Sequence, residues 1–206
     1  MGKETTCTAH FGNRKSTGKA LLETSELLFR PNDGNPRVKI LFSAIKSAKA
    51  IDGQLRLQTD DGPVSFDLGA TAEKWCHKIL HPKTRAEKLG VKAGVDISLL
   101  GKFDQEFLQE LRAATKNVHY GEIAPATEII FLMVASTKEL SAEISKTAKT
   151  MKGATALWIA YPKANKEITE NDVLTAGRKS GLKDVKVVGF SVTHTALKFV
   201  LPLDRR

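Results

Sequence analysis

Five residues stand where long apolar runs stop, and together they could hold a ligand: Lys102, Ser136, Thr137, Tyr161 and Lys163. If those runs are parallel strands, the five border one crevice at the carboxyl ends of a sheet. There two ammonium groups could fix a small anion and the hydroxyls could orient it. A second group, Arg14, Lys15 and Lys19, lies in "GNRKSTGK" and suits phosphate, by the fork of guanidinium and by the point charge of ammonium. The same stretch is not a P-loop. Five residues separate Gly12 from Gly18, and Ala20 stands where a magnesium-binding hydroxyl belongs.

Neither group contains a nucleophile with its base. There is no G-x-S-x-G elbow, and Cys7 and Cys76 do not lie at strand-to-helix turns where a thiolate is stabilised. His194, in a loop with Thr193 and Thr195, has no evident carboxylate partner. The five histidines lack H-E-x-x-H or similar spacing, so no metal site is expected. After "VDISLL" the chain offers only Gly101-Lys102-Phe103, one glycine where a coenzyme's phosphates want several close backbone amides. No acid ends the run "IIFLMVAS" to hold a ribose. No cofactor is expected.

The elements that must position these residues change character along the 206-residue chain. From Thr5 to Leu68 come seven short β runs, "CTAHF", "KALLET", "ELLFR", "RVKILF", "SAKAID", "QLRLQT" and "PVSFDL", parted by turns such as Asp52-Gly53 and Asp60-Asp61-Gly62. In the last two, apolar and polar residues alternate, as in a sheet buried on one face. One helix follows at about residues 70–80, with Ala72, Trp75, Cys76 and Ile79 on one stripe. "HPKTRAEKLG" then marks a boundary, placing domains at 1–85 and 86–206. Beyond it, "VDISLL", "IIFLMVAS" and "ATALWIAY" are near-continuous apolar runs of the parallel kind. Helical patterns lie between them, one more helix follows, and "VKVVGFSV" and "ALKFVLP" end the chain as a hairpin.

Seven strands closed by one helix with an inward Trp resemble a pleckstrin-homology-like barrel of the GRAM type. In lipid-binding members the first hairpin loop holds headgroup phosphates, which here would fall to Arg14, Lys15 and Lys19. Glu23 and Glu26 stand where such a site wants a further basic residue. The later half, through "ALWIAYPK" and "ITENDVLTAGRKSGLKDVKVVGFSVTHTALKFV", resembles a bacterial family known as domain of unknown function 3052. That resemblance implies a Rossmann-like α/β domain without an established activity.

The fold expected is therefore an all-β barrel with a capping helix, followed by a small Rossmann-like open sheet with a terminal antiparallel hairpin. The net charge of +9 is spread along the chain and aromatic residues make up 6%, too few for a base-stacking platform. The expected partners are proteins, with no specific nucleic acid and at most peripheral membrane contact. The start "MGKETTCTAHFGNRK" is polar, and a cytoplasmic protein is expected. Functionally, the chain reads as a non-enzymatic interaction protein. Its rivals are small-anion or nucleotide-like ligand binding, with or without catalysis, at the strand-end crevice, and anionic-membrane binding through the first half.

Overall fold

The computed structural model describes residues 3–206. The chain divides into two compact units, Met1–Lys83 and Thr84–Arg206.

In the first unit the strands are β1 (Lys3–Phe11), β2 (Arg14–Leu22), β3 (Glu26–Pro31), β4 (Val38–Leu41), β5 (Ile45–Ile51), β6 (Gln54–Thr59) and β7 (Gly62–Asp67), followed by helix α1 (Ala72–Leu80). They pair antiparallel in the order β4-β3-β2-β1-β7-β6-β5. Alternation decides the faces: Leu55, Leu57 and Thr59 of β6 are buried, while Arg56 and Gln58 are exposed. The core centres on Phe11, Phe29 and Phe66, with ring centroids 5.7–6.1 Å apart, and α1 adds Trp75, Cys76 and Ile79 to it. Gly18 is required where it stands. A Cβ there would lie 2.3 Å from the Arg30 carbonyl oxygen and 2.8 Å from the Phe29 ring.

Two expectations need correction. The seven strands form one open sheet whose edges, β4 and β5, are not bonded to each other, instead of a closed pleckstrin-homology-like or GRAM-like barrel. The first loop is also much shorter than "GNRKSTG" suggests. Gly12, at φ 58°, turns the chain with Asn13 alone, so Arg14, Lys15 and Lys19 belong to β2 and not to a phosphate-binding loop.

Burial of Cys7 between β2 and β7 lifts its thiol from 9.0 to about 11. Because the folded form disfavours the thiolate, this stabilisation is complete below the unfolded pKa and is lost as pH rises from about 9 to about 11, up to about 2.7 kcal/mol for a two-unit difference. Urea titrations across that range should show a steeper loss in the wild type than in Cys7→Ala, which cannot ionise. Equal slopes would disprove the assignment.

In the second unit come α2 (Arg85–Lys88), β8 (Ile97–Leu100), α3 (Gln105–Ala114), β9 (Val118–Tyr120), β10 (Ile129–Met133), α4 (Thr137–Thr150), β11 (Ala156–Pro162), α5 (Glu170–Lys179), β12 (Lys183–Gly189) and β13 (His194–Val200). The sheet order is β12-β13-β11-β10-β8-β9. Strands β9, β8, β10 and β11 are parallel, whereas β13 runs antiparallel to both neighbours. This corrects the plain Rossmann-like sheet, because the last strand inserts beside β11 and leaves β12 at the edge. Burial explains the choice: β13 is apolar enough to lie inside the sheet, while β12 is mostly exposed, with Lys183 and Lys186 at the rim. Successive residues of the central strands face opposite layers. Leu157, Ile159 and Tyr161 pack with α4 and α5, and Trp158 and Ala160 pack in a separate layer with Phe107 and Leu111 of α3.

Among the described residues no helix is long and apolar enough to cross a membrane.

Candidate functional site

The chain passes from β8 to β9 on one flank, then returns across β8 to β10 on the other. Such a reversal opens a crevice at the carboxyl ends of the two strands where it occurs. Here that place is a hollow of about 590 Å³, lined by Gly101, Lys102, Gly121, Met133 and Ala135, with Glu139, Glu143 and Lys146 of α4 along its side.

Gly101 is at φ +100°, and a Cβ on it would stand 2.9 Å from the Met133 carbonyl oxygen, so only glycine lets β8 end this close to β10. Gly121, at φ 75°, donates its N–H to the Leu99 carbonyl at 2.8 Å and ends β9. The β8–β9 register pairs Leu99 with Tyr120, the last residue of β9, and Glu122 follows Gly121 directly. Glu122 is exposed, at the rim beside Gly121.

The helix after β8 is closed to anions. Asp104 caps α3 by accepting the Phe107 N–H at 2.8 Å and receives two bonds from the Arg85 guanidinium, at 2.9 and 2.7 Å. Arg85 beside it holds the Asp104 carboxyl below the usual carboxylate range. A pyrophosphate at this helix terminus would meet a carboxylate. A second hollow of about 410 Å³ adjoins the first, shares Lys102 and Met133 with it, and extends to Phe190 and His194.

The five residues expected to converge do not form one cluster. Lys102 lines both hollows, and no ion pair engages it among the described residues. Ser136 is the N-cap of α4, accepting the Glu139 N–H at 3.3 Å. Thr137 begins that helix, donates its N–H to the Glu167 carbonyl at 3.2 Å, and lines a separate groove between α4 and α5. Tyr161 is buried on the α4/α5 side, where its hydroxyl donates to Glu170 at 3.1 Å; burial and that carboxylate push its pKa well up. The Lys163 ammonium donates to the carbonyls of Ser191 at 2.7 Å and Val192 at 3.3 Å, bracing the β12–β13 turn. Of the first-half residues, Lys19 pairs with Glu4 at 2.8 Å, Arg14 lies 5.1 Å from the Phe11 ring centroid, and Lys15 is exposed on β2. Among the described residues no group of three or more ligating side chains could hold a metal ion.

Sequence reading missed Gly121 and Glu122 because β9 is only three residues long, Val-His-Tyr, without alternation. The available signal was spacing: an acid 21 residues beyond the turn glycine, close to the interval of about 20 at which a ribose-binding acid follows that turn in nucleotide-binding sheets.

No family model matches the chain, and no curated protein matches it. Solved structures give distant likenesses. Fibrillarin from Aeropyrum pernix, with natively bound S-adenosyl-L-methionine, is 13% identical with a TM-score of 0.38, over 97% of this chain and 100% of that one. Magnesium protoporphyrin IX methyltransferase from Synechocystis PCC 6803, with bound SAM, is 13% identical with a TM-score of 0.38, over 57% of this chain and 74% of that one. At such scores a likeness assigns no activity to this chain.

The expectation of a non-enzymatic interaction protein is nevertheless corrected. It rested on the absence of any complete catalytic or cofactor constellation, and a carboxylate, Glu122, stands just after β9, next to Gly121 in the lining of a crevice at the strand-order reversal. The interaction reading is set aside, together with its small-anion and membrane alternatives.

Proposed function

We propose that the Thr84–Arg206 unit is an enzyme domain that seats a nucleoside-bearing methyl donor of the S-adenosylmethionine kind and transfers its methyl group. The observation that carries this reading is Glu122, an exposed carboxylate directly after Gly121, which lines the hollow where the strand order reverses. A carboxylate there accepts both ribose hydroxyls, as acids at this position do in nucleotide-binding sheets. The missing Cβ of Gly101 leaves β8 ending close against β10 at the floor. Asp104 at the start of α3 favours a donor without phosphates over a dinucleotide or nucleoside triphosphate. Glu139 and Glu143 on the flank suit a cationic sulfonium and ammonium. The adjoining hollow, beyond Lys102, is the place for the group that receives the methyl.

Calorimetric titration with S-adenosylmethionine and S-adenosylhomocysteine tests the reading. Both should bind, and Glu122→Gln should weaken them by about tenfold or more, since a hydrogen bond to a charged group contributes about 1.5–3 kcal/mol. NAD and ATP should not bind in the same range. Absence of heat with either adenosyl compound, or equal binding by Glu122→Gln, would overturn it.

A further inference from the structure

The first unit carries a basic row that its sequence scatters over five separate strands. Strand register places Lys49 of β5 opposite Arg56 of β6, Arg56 opposite Ser65 of β7, Ser65 opposite His10 of β1, and His10 opposite Lys15 of β2. All five lie on the face turned away from the core, as the burial of Ala48, Leu55, Leu57, Phe66, Ala9 and Ser16 beside them requires. With neighbouring strands about 4.8 Å apart, the row runs straight across the sheet for roughly 19 Å. It passes over a hollow of about 350 Å³ lined by His10, Lys49, Arg56 and Ser65, with the amides of Gln54 and Gln58 beside them.

Among the described residues one carboxylate, Asp67, pairs with the row, through His10 at 3.1 Å, and Lys15, Lys49 and Arg56 are left without an ion pair. Asp67, in the next row, has both oxygens engaged, accepting from Gln54 at 2.8 Å and from His10 at 3.1 Å. Arg56 uses only its Nε, donating to Gln54 at 2.7 Å. Lys15, Lys49 and Arg56 are exposed and make no ion pair among the described residues. By contrast Lys19, Lys39 and Lys46 of the same unit pair with Glu4, Glu26 and Asp60 at 2.6–3.0 Å.

We infer that this row is a binding surface for the phosphodiester backbone of single-stranded nucleic acid, contacted without regard to base. The row is one residue wide and matches a single backbone. A duplex presents two backbones separated by a groove. The cations and amides lining the hollow suit phosphate oxygens, and the row offers no aromatic platform on which bases could stack. The hollow under the row receives a narrow backbone more closely than the flat surface of a bilayer.

Fluorescence anisotropy of the full chain with labelled oligodeoxythymidylate tests the inference. Three phosphate contacts give a log–log salt slope of about −2.1, so affinity should fall about 18-fold between about 50 and about 200 mM salt. The triple variant Lys15→Gln/Lys49→Gln/Arg56→Gln should lose more than about tenfold in affinity at the lower salt, and its slope should approach zero. A control with the same charge loss elsewhere, Lys74→Gln/Lys83→Gln/Lys116→Gln, should bind within about twofold of the wild type, because counterion release is counted only at contacted phosphates. The inference is overturned if the oligonucleotide fails to bind at the lower salt, or if the control loses as much as the row variant. It fails equally if anionic vesicles, and not the oligonucleotide, bind with the row variant's dependence. Circular dichroism of the row variant checks that the sheet is intact.

Discussion

Replacing Arg85 by alanine should lower the stability of the Thr84–Arg206 unit by about 3 kcal/mol, the low end for removing one partner of a desolvated ion pair. The side chain is only 12% exposed, although its anchor is a helix of four residues. Its guanidinium makes two bonds to Asp104, approaches Glu110 at 3.4 Å, and lies 4.8 and 4.9 Å from the ring centroids of Phe107 and Phe190. One side chain thus joins α2 to the start and middle of α3 and to the end of the sheet. Alanine leaves two carboxylates without their cation and uncovers both rings. Asp104 is 46% exposed and can rehydrate, which keeps the loss below the upper range for buried pairs. Lysine keeps the charge without the fork or the stacking, and should recover about half. The measurement is urea unfolding with hydrogen exchange read on peptides from α2 and α3. A loss under about 1 kcal/mol would mean that the cluster behaves as an ordinary surface ion pair.

The other large effect belongs to Trp158. It is 1% exposed, its indole N–H donates to the Leu89 carbonyl at 2.8 Å, and the Lys198 ammonium lies 5.9 Å from its ring centroid. Trp158→Ala should cost about 3–5 kcal/mol, as expected when a large buried ring leaves a cavity. Trp158→Phe fills most of that space but leaves the Leu89 carbonyl unbonded, which should cost about 1–3 kcal/mol. Because the chain has two tryptophans and Trp75 belongs to the other unit, emission from Trp158 follows the second unit once the Trp75 signal is subtracted. If alanine and phenylalanine cost the same, the hydrogen bond to Leu89, and not the packing, holds the segment before β8 in place.

Much of the site's scaffold was legible in the chain. The near-continuous apolar runs "VDISLL", "IIFLMVAS" and "ATALWIAY" marked strands buried on both faces, and the strands at Ile97–Leu100, Ile129–Met133 and Ala156–Pro162 within or overlapping them are parallel to one another. Thr169 with Asp172 announced the start of α5 as a capping box. Local signals carried these elements because helix caps and alternation depend on residues close in sequence. The residues at the strand ends were less legible. Lys163 follows β11 and Tyr161 lies within it, but pleating turns Tyr161 into the core, and the lysine's reach is taken up by the 191–192 carbonyls.

By itself, then, the sequence determined most of the segments that become strands and helices, the short α2 and β9 excepted, and that two regions of different period follow one another. Apolar spacing and turn residues act over a few positions and need no partner. Tertiary structure decided which strands become neighbours. Pairing placed the three-residue β9 beside β8, bringing Gly121 to the hollow that Gly101 lines; it inserted β13 ahead of β12; and it aligned Lys49, Arg56, His10 and Lys15 across one face. Strand order and register are set by joint burial of faces far apart in the chain, which no single stretch of residues encodes.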